Sequence, residues 1–500
     1  MPTRATIRMY RLNELGDCFL VTFDAGRQTS RMLIDCGSFR NGEKSIARLE
    51  QIARHMKDTL APHTSGERAG TRLDVIVGTH QHNDHISGFY HCRPIFNDIG
   101  VGQVWLSWLD DPLDPAANAI GKEHGNLAED LSKAAAGLRH LAANGKIPPP
   151  LAVLDDMLGF YGARTDKSPP VLPASAVERL KRLSAKKPPR YLSPGNIIDM
   201  PGLPKDSVRV HVLGPPRQHD LLYRANPRAD ESYDHKLTAR IASARKFLKA
   251  VGSLRGMRSR EDKREENDYP FTHTLKCNAN KSAALAKMQE DYDNRQNRWR
   301  RIDRDWLNQA ESLALFLDTY TNNSSLALAI ELVESGKVLL FAADAQAGNW
   351  RSWAEVKWDR GTVTTDDLLA RTVLYKVGHH ASHNATLKPV LDSKMTHPDL
   401  CALIPVHRND PNIRKKKNGW KMPARNLFRF LKEKTTNRVL RMDLRKGDDC
   451  HPSRNADAWK AISVEPKITP LYIELALPGD ASTAIKQSKP SARKAGAKRN

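Results

Sequence analysis

The chain has 500 residues, of which 40% are hydrophobic and 27% are charged. This composition excludes a largely disordered chain and provides enough apolar side chains for a sizeable core. The longest apolar stretches, such as Leu326 to Leu332, are too short to cross a bilayer. The six cysteines include no Cys-x-x-Cys pair, and residues 1–16 carry no apolar leader segment. The sequence therefore predicts a reduced, cytoplasmic protein without membrane spans.

Basic residues greatly outnumber acidic ones. Lys and Arg total 79 against 57 for Asp and Glu, which gives a formal net charge of +22. This excess indicates a polyanionic partner or substrate, such as nucleic acid. The alternative is a solvated basic surface, because residues 481–500 hold six basic and no acidic side chains and are predicted to be a disordered tail. The sequence gives no indication of the oligomeric state.

The first 80 residues have the pattern of an α/β sheet. Apolar runs predict three opening strands, and the spacing of Ile46, Leu49, Ile52, Met56 and Leu60 predicts a helix. A further buried strand, Leu73 to Gly78, leads directly into a polar loop. The three opening strands are expected over Ile7 to Leu12, Cys18 to Asp24 and Arg31 to Ile34. Polar loops at strand ends are where α/β folds place their sites.

Two segments interrupt this pattern and are expected to be largely helical insertions in a single domain, residues 1–480. The first, about residues 110–199, is alanine-rich and contains a predicted helix from Leu127 to Ala143. The second, about residues 217–311, is highly charged and includes the run Arg298 to Arg301, followed by Trp306. The remaining core elements are the predicted strands 208–213, 325–332, 337–342, 374–377, 400–405 and 471–477 and the amphipathic helix 426–434.

The segment from Thr79 to His85 carries the candidate metal ligands. In an extended backbone, residues two apart point to the same side, so His80 and His82 can converge on one ion. Asp84 and His85 follow where the chain turns, and they can bind a second ion. Imidazole and carboxylate ligands without a thiolate favour zinc, with manganese or iron as alternatives. The competing interpretation is a surface histidine cluster without a role.

Several motifs together resemble the metallo-β-lactamase superfamily, and in particular the soluble domain of competence-type DNA-uptake proteins and their stand-alone bacterial relatives. The resemblance implies an αββα sandwich, with two mixed sheets flanked by helices. The motifs are residues 16–18 (GDC), 33–37 (LIDCG), the histidine-rich loop, 323–326 (NSSL), 339–345 (LLFAADA) and 376–382 (KVGHHAS).

The resemblance also implies further ligands. Asp344 would bridge two metals, His380 would complete the second site with Asp84 and His85, and Asp35 would brace the histidine loop. One position departs from the family. Gly214 stands where a third histidine usually completes the first site, and His211 and His219 are nearby but are weak substitutes. A single-metal or inactive protein is therefore an open alternative.

An intact site would supply a metal-activated hydroxide. Asp84 would orient this nucleophile, and His379 would contact the substrate or protonate the leaving group. Net charge, the resemblance and basic runs such as Arg414 to Lys417, followed by Trp420, favour phosphodiester hydrolysis. The alternatives are hydrolysis of a small ester, lactone or thioester, or a non-catalytic nucleic-acid- or protein-binding module with a degenerate metal site.

Overall fold

The chain forms two compact units, and most of what can be described belongs to the first. The computed structural model describes residues 2–60, 72–122, 124, 173–184, 187–224, 283–294, 296–297, 317–414 and 420–480. The first unit comprises residues 1–121, 159–230 and 319–500, and the second comprises residues 122–158 and 231–318. The second unit includes a helix, Ala283–Asp293. The fold and the site below are those of the first unit.

The first sheet has eight strands in the order β14-β15-β1-β2-β3-β4-β5-β6. Strand β2 pairs antiparallel with β1 and with β3, whereas neighbouring strands from β3 to β6 pair parallel. The sheet is therefore mixed. The three predicted opening strands are confirmed with small shifts at their ends. The strands are β1 Arg4–Tyr10, β2 Cys18–Ala25, β3 Gln28–Cys36, β4 Arg72–Val77, β5 Gly100–Ser107, β6 Arg190–Leu192, β14 Lys467–Ile468 and β15 Tyr472–Leu477.

The second sheet has seven strands in the order β13-β12-β11-β10-β9-β8-β7. It is mixed as well, because β10 to β13 pair parallel and β7 to β10 pair antiparallel. The near-continuous apolar runs of its central strands fit a sheet that is covered on both faces. The strands are β7 Ile197–Asp199, β8 Val208–Val212, β9 Leu328–Leu332, β10 Lys337–Phe341, β11 Thr372–Lys376, β12 Cys401–Ile404 and β13 Val439–Arg441.

Helices flank the sheets. The predicted helix after β3 is confirmed as α1, which buries Leu49, Ile52 and Met56 at helical spacing. None of the described helices combines the length and apolarity that a bilayer crossing requires. The helices are α1 Glu43–Thr59, α2 Asn83–His91, α3 Arg93–Asn97, α4 Pro173–Lys181, α5 Ala347–Ser352, α6 Thr365–Ala370, α7 Pro411–Arg414, α8 Arg425–Lys434 and α9 Ala456–Lys460.

The two sheets share one hydrophobic core. Buried side chains of both sheets belong to a single cluster, and Phe19 of β2 meets Phe341 of β10 edge-on, with ring centroids 5.7 Å apart. Such aromatic contacts add to the burial of apolar area that holds the layers together. The prediction of an α/β fold with two mixed sheets flanked by helices is confirmed, and this arrangement is compatible with an αββα sandwich.

The first predicted insertion, residues 110–199, extends too far toward the carboxyl terminus. Its last part contains α4, which packs on α2, and the strands β6 and β7, which extend the first and second sheets. These strands are only three residues long, so their sequences lack a detectable period. The predicted helix 127–143, the basic run 298–301 with Trp306, and the tail 481–500 lie outside the described residues.

Candidate metal centre

The loops that follow three strands carry the predicted site residues. The histidine-rich loop connects β4 to α2, and it places Asp84 and His85 in the first turn of that helix. Asp344 follows β10, and His379 and His380 follow β11. All of the predicted metal ligands and the predicted catalytic residue are buried, namely His80, His82, Asp84, His85, Asp344, His379 and His380.

Four of these residues converge on one point. Asp84, His85, Asp344 and His380 each offer a ligand atom, and these atoms all lie within 4.8 Å of one another. His380 Nε2 lies 2.8 Å from Asp84 Oδ2 and 3.7 Å from Asp344 Oδ2. His85 Nε2 lies 3.3 Å from Asp344 Oδ2 and 3.8 Å from Asp84 Oδ2. These spacings suit ligands that sit about 2.0–2.2 Å from a shared zinc-sized ion.

Unsatisfied polar atoms support the same conclusion. Asp84 Oδ1, His85 Nε2 and Asp344 Oδ2 are buried without a hydrogen-bond partner. A buried polar atom left unpaired costs about 1–3 kcal/mol, and a charged one costs more. Three such atoms in one cluster are explained if a cation binds there. The residues present therefore fit a divalent ion.

Hydrogen bonds orient both histidines of this group toward its centre. His85 Nδ1–H donates to Asp35 Oδ2 at 2.7 Å, and His380 Nδ1–H donates to the carbonyl oxygen of Pro405 at 2.8 Å. When the imidazole is neutral, as it is when a metal is bound, each bond leaves the lone pair on Nε2. Metal-binding histidines are usually held in this way.

Asp35 braces the histidine loop, as the resemblance implies. Its Oδ1 accepts from the backbone N–H of Thr79 at 2.8 Å, and its Oδ2 accepts from Thr79 Oγ1 at 2.7 Å in addition to the His85 bond. Asp35 has a positive φ of 56°, a region that Asp and Asn tolerate better than most residues. One carboxylate thus ties together β3, the loop and α2.

Asp35→Asn should weaken metal binding about 10- to 100-fold, because loss of a histidine's carboxylate partner typically has this effect. Asn keeps the shape and tolerates the positive φ, so the change tests the charge and the hydrogen bonds to His85 and Thr79. Competition with a chromogenic chelator would measure the affinity. Asp24→Asn, in the β2–β3 hairpin, is the control. Equal affinities for Asp35→Asn and wild type would show that Asp35 does not support the ligand.

A second group of candidate ligands consists of Asp17, Asp35 and His85. Its carboxylates already have partners, since Asp17 Oδ2 contacts Lys376 Nζ and Asp35 binds Thr79 and the Nδ1–H of His85. In this second group Asp17 Oδ1 is an unsatisfied carboxylate oxygen, whereas the four-residue group contains Asp84 Oδ1, His85 Nε2 and Asp344 Oδ2. The ion is therefore expected at Asp84, His85, Asp344 and His380.

The electrostatics of the centre are dominated by its carboxylates. Burial would raise the pKa of Asp344, but His85, His380 and Lys376 lower that pKa well below its usual range. Burial would in turn lower the pKa of His380, but Asp344 and Asp84 raise it to about 9, and the pKa of His85 is also raised. A bound cation takes the place of these two protons, so metal binding should release protons.

His80 and His82 face each other beside this group. His80 Nε2 and His82 Nδ1 are 3.2 Å apart, and His80 Nδ1 lies 3.3 Å from Ser325 Oγ. Burial lowers the pKa of His82 to about 3 and the pKa of His80 well below its ordinary value, so both imidazoles are neutral. Within the described part of the chain, neither belongs to a group of three or more candidate ligands.

The position where the family usually has a third histidine is closed. A Cβ atom on Gly214 would lie 2.1 Å from Asn349 Oδ1, so no larger side chain fits there without rearrangement. Neither nearby histidine is a substitute, since His211 and His219 belong to none of the ligand groups found among the described residues. His211 Nε2 instead binds Glu331 Oε2 at 2.9 Å, and the ring of His219 lies against Tyr223.

The Glu331 carboxylate contacts His211 and Arg371, and these contacts should make the free energy of unfolding depend on pH. Burial would raise its pKa, but His211 and Arg371 lower it from 4.5 to about 2. A depressed carboxylate pKa stabilises the fold above about pH 4.5, and this stability is lost as the pH falls toward 2. Glu331→Gln should therefore cost about 2 kcal/mol of unfolding free energy at pH 7 and much less near pH 2.

Urea unfolding of Glu331→Gln and wild type at several pH values would measure this difference. The exposed Glu465 provides a matched control, Glu465→Gln, which should behave like wild type throughout. If Glu331→Gln lowered the free energy of unfolding by the same amount at pH 7 and at pH 2, the lowered pKa of Glu331 would not be the source of the stability.

His379 lies at the outer side of the centre in a polar cradle. Its Nδ1–H donates to Ser382 Oγ at 2.8 Å, and Ser382 Oγ donates to Asn384 Oδ1 at 2.6 Å. Its Nε2 lies 3.4 Å from Asn322 Nδ2. Burial lowers the pKa of His379 to about 4, so the imidazole is neutral at pH 7. A role as general acid is therefore disfavoured, while contact with a substrate stays a prediction.

Sequence reasoning missed two charged residues of the centre. Lys376 is 1% exposed, and its Nζ donates to the carbonyl oxygen of Ala343 at 2.9 Å and lies 3.4 Å from Asp344 Oδ1. It also pairs with Asp17, which is equally buried. Both residues stand inside motifs that were recognised. A lysine within an otherwise apolar strand was the available signal, because buried lysines need a partner.

The comparisons with known proteins leave the family open. No protein-family model matches the chain, and no curated protein matches it. The functional conclusion therefore rests on the chemistry of the site.

Proposed function

We propose that this protein is a metal-dependent hydrolase of the metallo-β-lactamase superfamily that acts on phosphodiester bonds. The observation that carries the proposal is the buried group of Asp84, His85, Asp344 and His380, with its three unsatisfied polar atoms. A divalent ion held there would lower the pKa of a bound water to about 7 and make hydroxide available at neutral pH.

The ligand atoms favour zinc. Two imidazole nitrogens and two carboxylate oxygens, with no thiolate, are typical of zinc, while manganese and iron are the alternatives. His85 and His380 would bind the ion through Nε2, since their Nδ1 atoms donate elsewhere. Lys376 binds Asp344 on the Oδ1 side and leaves Oδ2 for the ion.

The remaining residues divide the catalytic tasks. Asp84 has one oxygen beside His380 and another that is unpartnered, so it can orient the nucleophilic water and accept its proton. His379 is neutral, and because its Nδ1–H donates to Ser382 Oγ, its Nε2 can contact the substrate only as a hydrogen-bond acceptor. Because His379 is 8% exposed and His380 is fully buried, the substrate is expected to approach from the His379 side.

Charge near this approach favours an anionic substrate. The backbone N–H of Ala424 donates to the carbonyl oxygen of Ala381 at 2.7 Å, which places the basic start of α8, at Arg425, next to the His379–His380 loop. Trp420 packs edge-on against Phe39, with ring centroids 5.4 Å apart. The guanidinium of Arg40 lies 5.5 Å from the centroid of the Phe39 ring. Basic and aromatic side chains suit phosphates and bases, and the net charge of +22 agrees.

A substrate panel tests the proposal. Chelated protein reconstituted with zinc or manganese should hydrolyse bis(p-nitrophenyl) phosphate and oligonucleotides, and Asp84→Asn should not. Preferential hydrolysis of p-nitrophenyl acetate or of lactones would indicate the ester alternative instead. Oligonucleotide binding that is equal in metal-loaded and chelated protein, without turnover of any substrate, would indicate a binding module and contradict the hydrolase.

A further inference from the structure

The ammonium group of Lys376 is held at a fixed position beside Asp344. Lys376 lies on β11, opposite Phe341 of β10, and it is 1% exposed. Its Nζ donates to the carbonyl oxygen of Ala343 at 2.9 Å and to Asp344 Oδ1 at 3.4 Å, and it forms an ion pair with Asp17 Oδ2. An ammonium group has three N–H donors, so these acceptors use all of them and fix the group in place.

The two carboxylate oxygens of Asp344 have different surroundings. Oδ1 accepts from Lys376 Nζ and, at 3.0 Å, from the backbone N–H of His379. Oδ2 has no hydrogen-bond partner and lies 3.3 Å from His85 Nε2 and 3.7 Å from His380 Nε2. Because each carboxylate oxygen has about two lone pairs, the two donors saturate Oδ1 and leave only Oδ2 for an ion.

The number of oxygens that a carboxylate offers affects which ion it binds best. Zinc is usually tetrahedral and has little need for a second oxygen from the same side chain. Manganese favours an octahedral set of mostly oxygen ligands, and large cations such as calcium often use both oxygens of one carboxylate. An Asp344 that offers one oxygen therefore suits zinc, whereas an Asp344 that offers both oxygens would supply a further ligand to manganese.

We propose that Lys376 is a positioning residue that selects zinc over manganese at this centre, because it occupies Oδ1 of Asp344 and leaves a single oxygen for the ion. Asp17 anchors this arrangement. Its carboxylate holds the ammonium group, and its backbone N–H donates to the carbonyl oxygen of Asp84 at 2.9 Å. The inference rests on the metal centre of the proposed function, but it does not depend on the turnover of any substrate.

The double variant Lys376→Met with Asp17→Asn tests this role. It frees one lone pair of Asp344 Oδ1 and leaves the formal charge of the cluster unchanged, since one positive and one negative charge are removed together. Competition with a chromogenic chelator measures the Zn²⁺ affinity of the full chain, and equilibrium dialysis measures its Mn²⁺ affinity. The preference for zinc, expressed as the ratio of the two dissociation constants, should fall at least about 10-fold, which is the lower end of the effects of removing a ligand's outer partner.

Further variants make the assignment specific. Lys376→Met alone should show the same fall in the ratio, whereas Asp17→Asn alone leaves Lys376 bound to Asp344 and should keep the wild-type ratio. The matched control is Lys394→Met with Asp366→Asn, which removes an exposed ion pair and should also keep that ratio. An unchanged ratio in the double variant, even with both affinities lowered, would overturn the proposal, and so would an equal fall in Asp17→Asn alone.

The outcome can be separated from that of the proposed function. A lower preference for zinc in the double variant, without turnover of any phosphodiester by the wild type, would support the role of Lys376 and reject the hydrolase. Phosphodiester turnover by the wild type, with an unchanged preference for zinc in the double variant, would reject the role of Lys376 and leave the hydrolase standing.

Discussion

Asp344→Asn should lower kcat/KM for bis(p-nitrophenyl) phosphate by about three orders of magnitude, because the several kcal/mol of transition-state stabilisation that a metal supplies is lost with it. Asp344 Oδ2 is the unpartnered oxygen that faces both His85 Nε2 and His380 Nε2. An amide of the same shape has no charge to hold the ion. Metal content should fall in parallel with activity.

The fold should survive this change. In the metal-free protein, His85, His380 and Lys376 stabilise the charged form of Asp344 and lower its pKa, so Asp344→Asn should lower the unfolding free energy, but Lys376 keeps Asp17 as its partner. The matched control is Asp366→Asn, which removes an exposed carboxylate paired with Lys394. It should change neither the metal content nor the activity, and it should leave stability nearly unchanged, since exposed pairs contribute little. Full activity in Asp344→Asn would show that Asp344 is not a metal ligand.

Lys376→Met should destabilise the metal-free protein by about 3–5 kcal/mol, the usual cost of removing one partner of a buried ion pair. The methionine side chain has a similar length but leaves Asp17 without its counter-charge in an environment where both residues are almost fully buried. Urea unfolding in the presence of a chelator would measure the loss.

The double variant Lys376→Met with Asp17→Asn separates charge from packing. It should recover a large part of the lost stability, because the charge left unpaired by the first change is then absent. Added metal should also stabilise Lys376→Met more than it stabilises wild type, because the site around the ion is more negative. A double variant that is less stable than either single variant would show that Lys376 acts through packing instead.

The sequence predicted the elements that have a strong period or an unusual composition. Apolar runs identified β1, β2 and β3, and the helical spacing of Ile46 to Leu60 identified α1. The loop from His80 to His85 stood out because histidine is rare and strand geometry relates its spacing to a common ligand position. These are local features that do not require knowledge of the tertiary contacts.

Other features depend on contacts between distant segments. The strands β6 and β7 are too short to have a period, and their pairing with β5 and β8 decides their state. The pairing of Lys376 with Asp17 joins residues far apart in the chain, and Asn349 occupies the space beside Gly214 through tertiary packing alone. The filled space beside Gly214 and the lowered pKa of His379 could therefore not be predicted from residue spacing.

The most direct test of the central claim is the metal content of protein purified without added metal, measured by elemental analysis for wild type, His85→Ala and His219→Ala. We expect about one equivalent in wild type and in His219→Ala, because His219 lies outside the ligand groups found among the described residues, and a clear loss in His85→Ala. No metal in wild type, even after dialysis against zinc, manganese or iron, or equal metal in all three proteins, would contradict a metal centre at Asp84, His85, Asp344 and His380.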